Sequence, residues 1–189
     1  MFDRNTIARG MHDLGMAAWF GGSLAGAVAV NGAASDVPDP VLRLRVANSG
    51  WARWAPVNFA AIGMHLIGGA GVLLANRGRA IGQRGVGANT VVKLALTGAA
   101  LGVTAYSGVL GARLRKANGT PVEGATHPGE QTPPRTAGVQ RQLDVCQWLI
   151  PALTGAAVVS GSVHGEQQRP GQQLASVLAT TVRRMNPAA

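Results

Sequence analysis

Charged residues divide this chain at wide intervals, and the stretches between them are apolar. No Asp, Glu, Lys or Arg occurs from Leu14 to Ser35, Trp54 to Asn76, Leu94 to Ala112 or Val145 to Val163, runs of 22, 23, 19 and 19 residues. A helix rises about 1.5 Å per residue and a bilayer's hydrocarbon core is about 30 Å thick, so about 20 residues cross it. One such run fits a buried helix of a soluble domain; four are hard to enclose in 189 residues. The runs lack the period-2 alternation of a transmembrane barrel, which leaves helices to satisfy the backbone in lipid. The pattern predicts an all-α fold, a four-transmembrane-helix bundle over residues 1–165 with spans at about 12–34, 54–76, 92–114 and 143–164.

The connectors are polar and unequal. Residues 36–53 carry Pro38 and Pro40, and Val41–Val46 has the composition of a surface-lying segment. Residues 77–90 form a tight Gly/Arg-rich link. Residues 117–141 are rich in Pro, Gly and Thr, which predicts a mobile loop with no core of its own. Residues 166–189 read as a polar tail carrying a short C-terminal amphipathic helix at 172–185, with Leu174, Val177, Leu178 and Val182 on one face. Arg4 and Arg9 before the first run resemble a signal peptide, but Asp3, Asp13 and the three later runs favour a retained span.

Composition agrees. Only 13% of residues are charged and 4% are aromatic, while Gly alone contributes 27 residues; soluble domains carry about 25% charge. The net charge of +9 comes from basic residues between the runs, where they set orientation and meet anionic lipid. No basic face with stacking aromatics points to nucleic acid. Lys and Arg divide nine against eight between the two sides of a four-span topology, and the Arg-rich second connector assigns both termini to the cytoplasm. Trp51, Trp54 and Trp148 all open even-numbered spans, which predicts anchors at one shared interface. The single cysteine, Cys146, excludes an intrachain disulfide.

Helices in lipid associate through close approach at small residues and a few polar contacts. Gly22 with Gly26, and Gly98 with Gly102, have the four-residue spacing for helix packing, so leucine at Gly98 or Gly102 is expected to open the bundle. Ala95–Ala100 (ALTGAA) recurs as Ala152–Ala157, an echo that shared packing needs or an old duplication explains. Pro151 removes a backbone donor inside the fourth span and predicts a bend near Gln147.

Polar groups within a span are the first place to look for function. His65 is the leading candidate. Counted from the second connector, His65, Thr104 and Tyr106 lie about 16–20 Å deep, which predicts a polar network or midplane ligand site from His65 to Thr104 or Tyr106. Asn31, Asn58 and Gln147 can bond between helices. His12 and His164 fall at one membrane face, where two imidazoles at equal depth are the geometry of a bis-histidine haem; His65 is too deep to join them. The four charge-free runs hold no Asp or Glu, and no nucleotide-binding, nucleophile-elbow or zinc-protease motif is present. No metal and no cofactor is called for.

The segments HDLGMAAWFGGSLAGAV, GWARWAPVNFAAIGMHLIGGAGVLLANR, ALTGAALGVTAYSGVLG and QRQLDVCQWLIPALTGAAVVSGSVHGEQQRP resemble an uncharacterised family of small actinobacterial integral membrane proteins. The resemblance runs from His12 to Pro170 and implies a multi-pass protein of the bacterial plasma membrane. It carries over no activity and no catalytic residue. The residues favour a non-enzymatic structural or accessory component of a membrane assembly, whose partners are the lipid bilayer, other membrane proteins or itself, and no nucleic acid. A small carrier or ligand-binding protein with a site around His65 is the alternative, and a haem- or quinone-linked redox subunit a second.

Overall fold

A computed structural model describes the backbone of residues 4–82 and 84–167, with the side chains of 6–75 and 89–161. The expected amphipathic helix at 172–185 lies outside the described residues. Every regular element among them is helical: α1 (Arg4–Ala25), a π-helical stretch (Gly26–Val30), α2 (Asn31–Ser35), α3 (Arg43–Gly82), α4 (Arg84–Arg115) and α5 (Pro134–Gln167). Four segments are long and apolar enough to cross a membrane: Thr6–Ser35, Arg43–Ala75, Asn89–Arg115 and Pro134–Gly161.

The helices outrun the apolar runs. α3 has 40 residues, about 60 Å at the helical rise and twice a hydrocarbon core. Its first turn is the segment expected on the membrane surface. The Gly/Arg-rich link is helical on both sides of residue 83. Charges mark where an apolar run ends; they do not end a helix, because Arg and Ala are good helix formers and no proline lies between residues 77 and 90.

α1 packs antiparallel along α3, and α4 along α5. α1 also lies against α5, whereas α3 and α4 meet more sparsely. The bundle centre holds Met16 and Trp19 of α1, surrounded by Leu96 and Ala100 of α4 and Leu153, Ile150 and Ala157 of α5. The same Leu and Ala positions of the two ALTGAA segments therefore enter one cluster. Outward positions are apolar: Phe59, Ile67, Leu74 and Val91 are 66–80% exposed, as a lipid-facing surface requires.

The segment after α4 does not behave as a mobile loop. Gly119 turns the chain out of the helix with φ 94°, a left-handed backbone that glycine adopts without Cβ strain. Val122 then enters a core cluster with Leu44, Leu110, Leu114, Val139 and Cys146, while Ala125 packs on Ala34 and Ala47. Two long side chains satisfy its carbonyls. Arg43 donates to Val37 O, Glu123 O and Val122 O, and buried Gln140 donates to Gly124 O and Ala125 O at 2.9 and 3.2 Å. The loop packs through Val122 and Ala125 into the core of the bundle end.

Candidate functional site

The α1–α3 contact is built on glycines. A Cβ at Gly15 would overlap the Ala61 carbonyl oxygen and stand 2.5 Å from His65 N; one at Gly68 would overlap His12 N and stand 2.5 Å from Ala8 O. Only residues without a Cβ let the two backbones approach so closely. Each glycine thus makes room for the stretch of the other helix that carries a histidine.

His12 and His65 meet at this seam. Their rings stack with centroids 4.1 Å apart and planes 23° apart. His12 Nδ1 lies 3.0 Å from His65 O, and His65 Nδ1 lies 3.0 Å from His12 O. A carbonyl can only accept, so each Nδ1 carries the proton and donates across the seam. His65 is 3% exposed; Trp19 stands edge-on to it with centroids 6.3 Å apart, and Thr97 Oγ1 lies 3.5 Å from its Nε2.

This pairing corrects two expectations. His65 does not bond to Thr104 or Tyr106. His12 is within reach of His65, because α1 begins at Arg4 and places His12 two turns inside the helix rather than at its end. The side chain of His164, the other half of the expected His12–His164 haem pair, lies outside the described residues.

The remaining predicted polar residues gather elsewhere. The π-helical stretch, where Asn31 N donates to Gly26 O, inserts one residue into the turn and re-aims the side chains beyond it, as such bulges do at many functional sites. Asn31, 7% exposed, then joins three elements: its Nδ2 donates to Gln147 Oε1 at 2.7 Å, and Trp51 Nε1 donates to its Oδ1 at 2.9 Å. Gln147 Nε2 donates to Asp144 Oδ1 and Thr126 Oγ1 at 2.7 and 3.1 Å. This chain ties α2, α3, α5 and the loop together. Pro151 leaves the Gln147 carbonyl without its helical donor, and Thr154, fully buried, donates to Ile150 O at 2.8 Å.

Two further expectations change. Trp51 and Trp54 are not free interface anchors: their rings fill the spaces left by Gly26 and Gly22, so that a Cβ at either glycine would overlap an indole. The Gly22/Gly26 motif receives side chains, not a neighbouring backbone. Trp148 is 51% exposed and faces outward. Gly98 and Gly102 are exposed and have open space where a Cβ would stand, so no neighbouring helix of this chain approaches its backbone to them. Tyr106 is also outward, 47% exposed, with its hydroxyl donating to Gln142 Oε1.

Between α3 and α4 lies a cleft of about 340 Å³. Trp51, Trp54, Asn58, Phe59 and Ile62 form the α3 wall, and Thr104, Ser107, Gly108, Gly111 and Arg115 the α4 wall. These α4 positions recur at helical spacing, so one stripe faces the cleft. Asn31, Gln147 and Thr126 close its back. Across one end, Asn48 Nδ2 donates to Asn118 Oδ1 at 2.7 Å. Thr104 belongs to this cleft, apart from His65. Among the described residues, five buried side-chain atoms lack a hydrogen-bond partner: Trp19 Nε1, Trp54 Nε1, Asn58 Oδ1, Thr104 Oγ1 and Gln140 Oε1. Three of the five sit on residues that line the cleft, Trp54, Asn58 and Thr104, with the atoms themselves enclosed by protein. Sequence reasoning missed the cleft, because helix order does not reveal which pair stands apart.

The fold and these sites define an all-helical protein with four helices long and apolar enough to span a membrane. The chain matches no family model, and comparison with curated proteins and with solved structures gives no match. No cluster of three metal-ligating side chains occurs among the described residues.

Proposed function

We propose that this is a four-span membrane protein of the bacterial plasma membrane, as the actinobacterial resemblance implies, which acts by binding a small, mostly apolar molecule in the α3–α4 cleft rather than by catalysis. One observation carries the reading: an open, mostly apolar cleft of about 340 Å³ between α3 and α4, with a few polar side chains such as Asn48, Ser107 and Arg115 in its lining. A mostly apolar pocket with a few polar groups is the usual composition of a ligand site. The cleft replaces the His65-centred site expected from residue depths; the histidine pair serves the α1–α3 seam.

Gly108 gives a direct test. It lines the cleft and has open space around its Cβ position, so Gly108→Leu fills the cleft without displacing protein. Native mass spectrometry of protein released from its own membranes should show a bound small molecule on the wild type and none on the variant. Wild-type protein without an adduct, or the same adduct on both, would overturn the reading.

The accessory role is a second reading. Gly98 and Gly102 offer another helix a close approach on the outer face of α4. A stoichiometric protein partner that is lost from Gly98→Leu while the cleft stays empty would favour it.

A further inference from the structure

The cleft between α3 and α4 has a polar end and an apolar end. Asn48 of α3 and Arg115 of α4 line the first, Phe59 and Ile62 of α3 the second. Arg115 closes the apolar span Asn89–Arg115, so its guanidinium stands where lipid headgroups begin. Of the residues lining the cleft it alone is charged, and no carboxylate faces it. Among the described residues Arg115 makes no ion pair; the one found there joins His127 to Asp144. The α4 lining runs from Arg115 back to Thr104, eleven positions or about 16 Å at the helical rise. A bilayer with its headgroups is about 40–45 Å thick, so the cleft begins at headgroup level and ends within the same leaflet. Ala52, Ala55, Phe59 and Gly108 of its lining are exposed, Phe59 to 80%. The cleft therefore opens sideways onto the surface that lipid covers.

We infer that the cleft is a site for an anionic phospholipid of this leaflet, with the headgroup phosphate on Arg115 and acyl chain along the apolar walls. This rests on the binding reading above and names the class of molecule. Charge and depth both select a lipid. A soluble anion has no use for deep apolar walls, and a neutral apolar molecule leaves the one charge of the cleft unanswered. Arg115 also lies in the last turn of α4, where a cation suits the negative end of any helix. Arg113 lies in the same turn, is exposed as well and does not line the cleft. Comparing the two arginines separates a lipid site from a helix-end effect.

The test uses the full chain carrying Trp148→Phe, which removes the outward indole and leaves Trp51 and Trp54 to report on the cleft. The protein is placed in vesicles that mix phosphatidylglycerol with phosphatidylcholine, with bromine on the acyl chains of one lipid at a time. Bromine quenches indole fluorescence at short range, so the quenching that Gly108→Leu removes comes from chains within the cleft. In that component phosphatidylglycerol should bind about fivefold tighter than phosphatidylcholine, the scale of one basic residue's attraction for anionic lipid. Arg115→Gln should bring the two lipids level, Arg115→Lys should keep most of the preference, and Arg113→Gln should leave it unchanged. Equal quenching by the two lipids overturns the lipid class and leaves a cleft that binds chains without regard to charge. A preference that survives Arg115→Gln, or falls as far with Arg113→Gln, overturns it too. Quenching that Gly108→Leu does not change overturns the binding reading itself.

Discussion

The α1–α3 seam and the α3–α4 cleft share a helix and differ in nearly everything else. At the seam, glycines let two backbones touch, and two histidines each bond to the other's carbonyl. At the cleft, glycines on α4 face open space and polar atoms lack partners. Both regions are rich in small residues, so composition does not separate them. Small residues make close packing possible, but only the facing residue decides whether it happens. Gly15 and Gly68 face backbone; Gly22 and Gly26 face indole rings; Gly98, Gly102 and Gly108 face nothing. The seam is where the protein holds itself together, and the cleft is where it leaves room.

The sharpest way to break this contrast is to add bulk at the seam. Gly15→Leu drives a side chain into the Ala61 carbonyl and the His65 backbone. Backbone yields less than a side chain, so the loss should reach the upper end of overpacking costs, about 3 kcal/mol or more, or prevent folding. Thermal unfolding in detergent, followed by circular dichroism, measures it. Gly15→Ala supplies the milder test, with a smaller loss in the same direction. A stable Gly15→Leu protein would mean that α1 and α3 do not approach as described.

The histidine pair comes next. His65→Ala removes a donor and a stacked ring from the seam, while the His12 carbonyl keeps its helical donor. Losing one hydrogen bond costs about 0.5–1.5 kcal/mol. Each bond goes to a backbone carbonyl that survives substitution, so those losses add; the ring stacking alone couples the two positions, and the double variant should cost about 0.5–1.5 kcal/mol less than the two single losses added. Strictly additive losses would show that the two rings do not stack.

How far the sequence foretold these sites depends on the type of signal. The spans are legible because the cost of charge in lipid spaces Asp, Glu, Lys and Arg widely. Asn31 and Gln147 stand out as polar residues within apolar runs, and they do meet. Their meeting point depends on the π-helical turn at Gly26–Val30, for which the sequence carries no signal. Depth counted from the second connector placed His65 beside Thr104. That arithmetic takes apolar-run ends as helix ends, whereas α3 runs on to Gly82 and α4 starts at Arg84. Counting cannot give rotation about the helix axis either, and rotation sends Thr104 into the cleft while His65 faces α1.

The repeated ALTGAA segment yields two graded tests within one local sequence. Gly155 of α5 lies against Phe20 of α1: a Cβ there would stand 3.1 Å from ring carbon Cε2. The contact is with the edge of a side chain, which can shift, so Gly155→Leu should cost about 1–2 kcal/mol. Its counterpart, Gly98 of α4, meets nothing within 4 Å. Gly98→Leu should leave stability unchanged or raise it by up to about 1 kcal/mol, since leucine is the better helix former. Comparing the two melting curves isolates packing, because helix propensity and flanking residues are nearly matched. Equal losses at both positions would place a second helix on the outer face of α4 in the purified protein. A loss at Gly155 alone would show that a glycine's role depends on the surface it faces, which is how the seam and the cleft can be made from the same small residues.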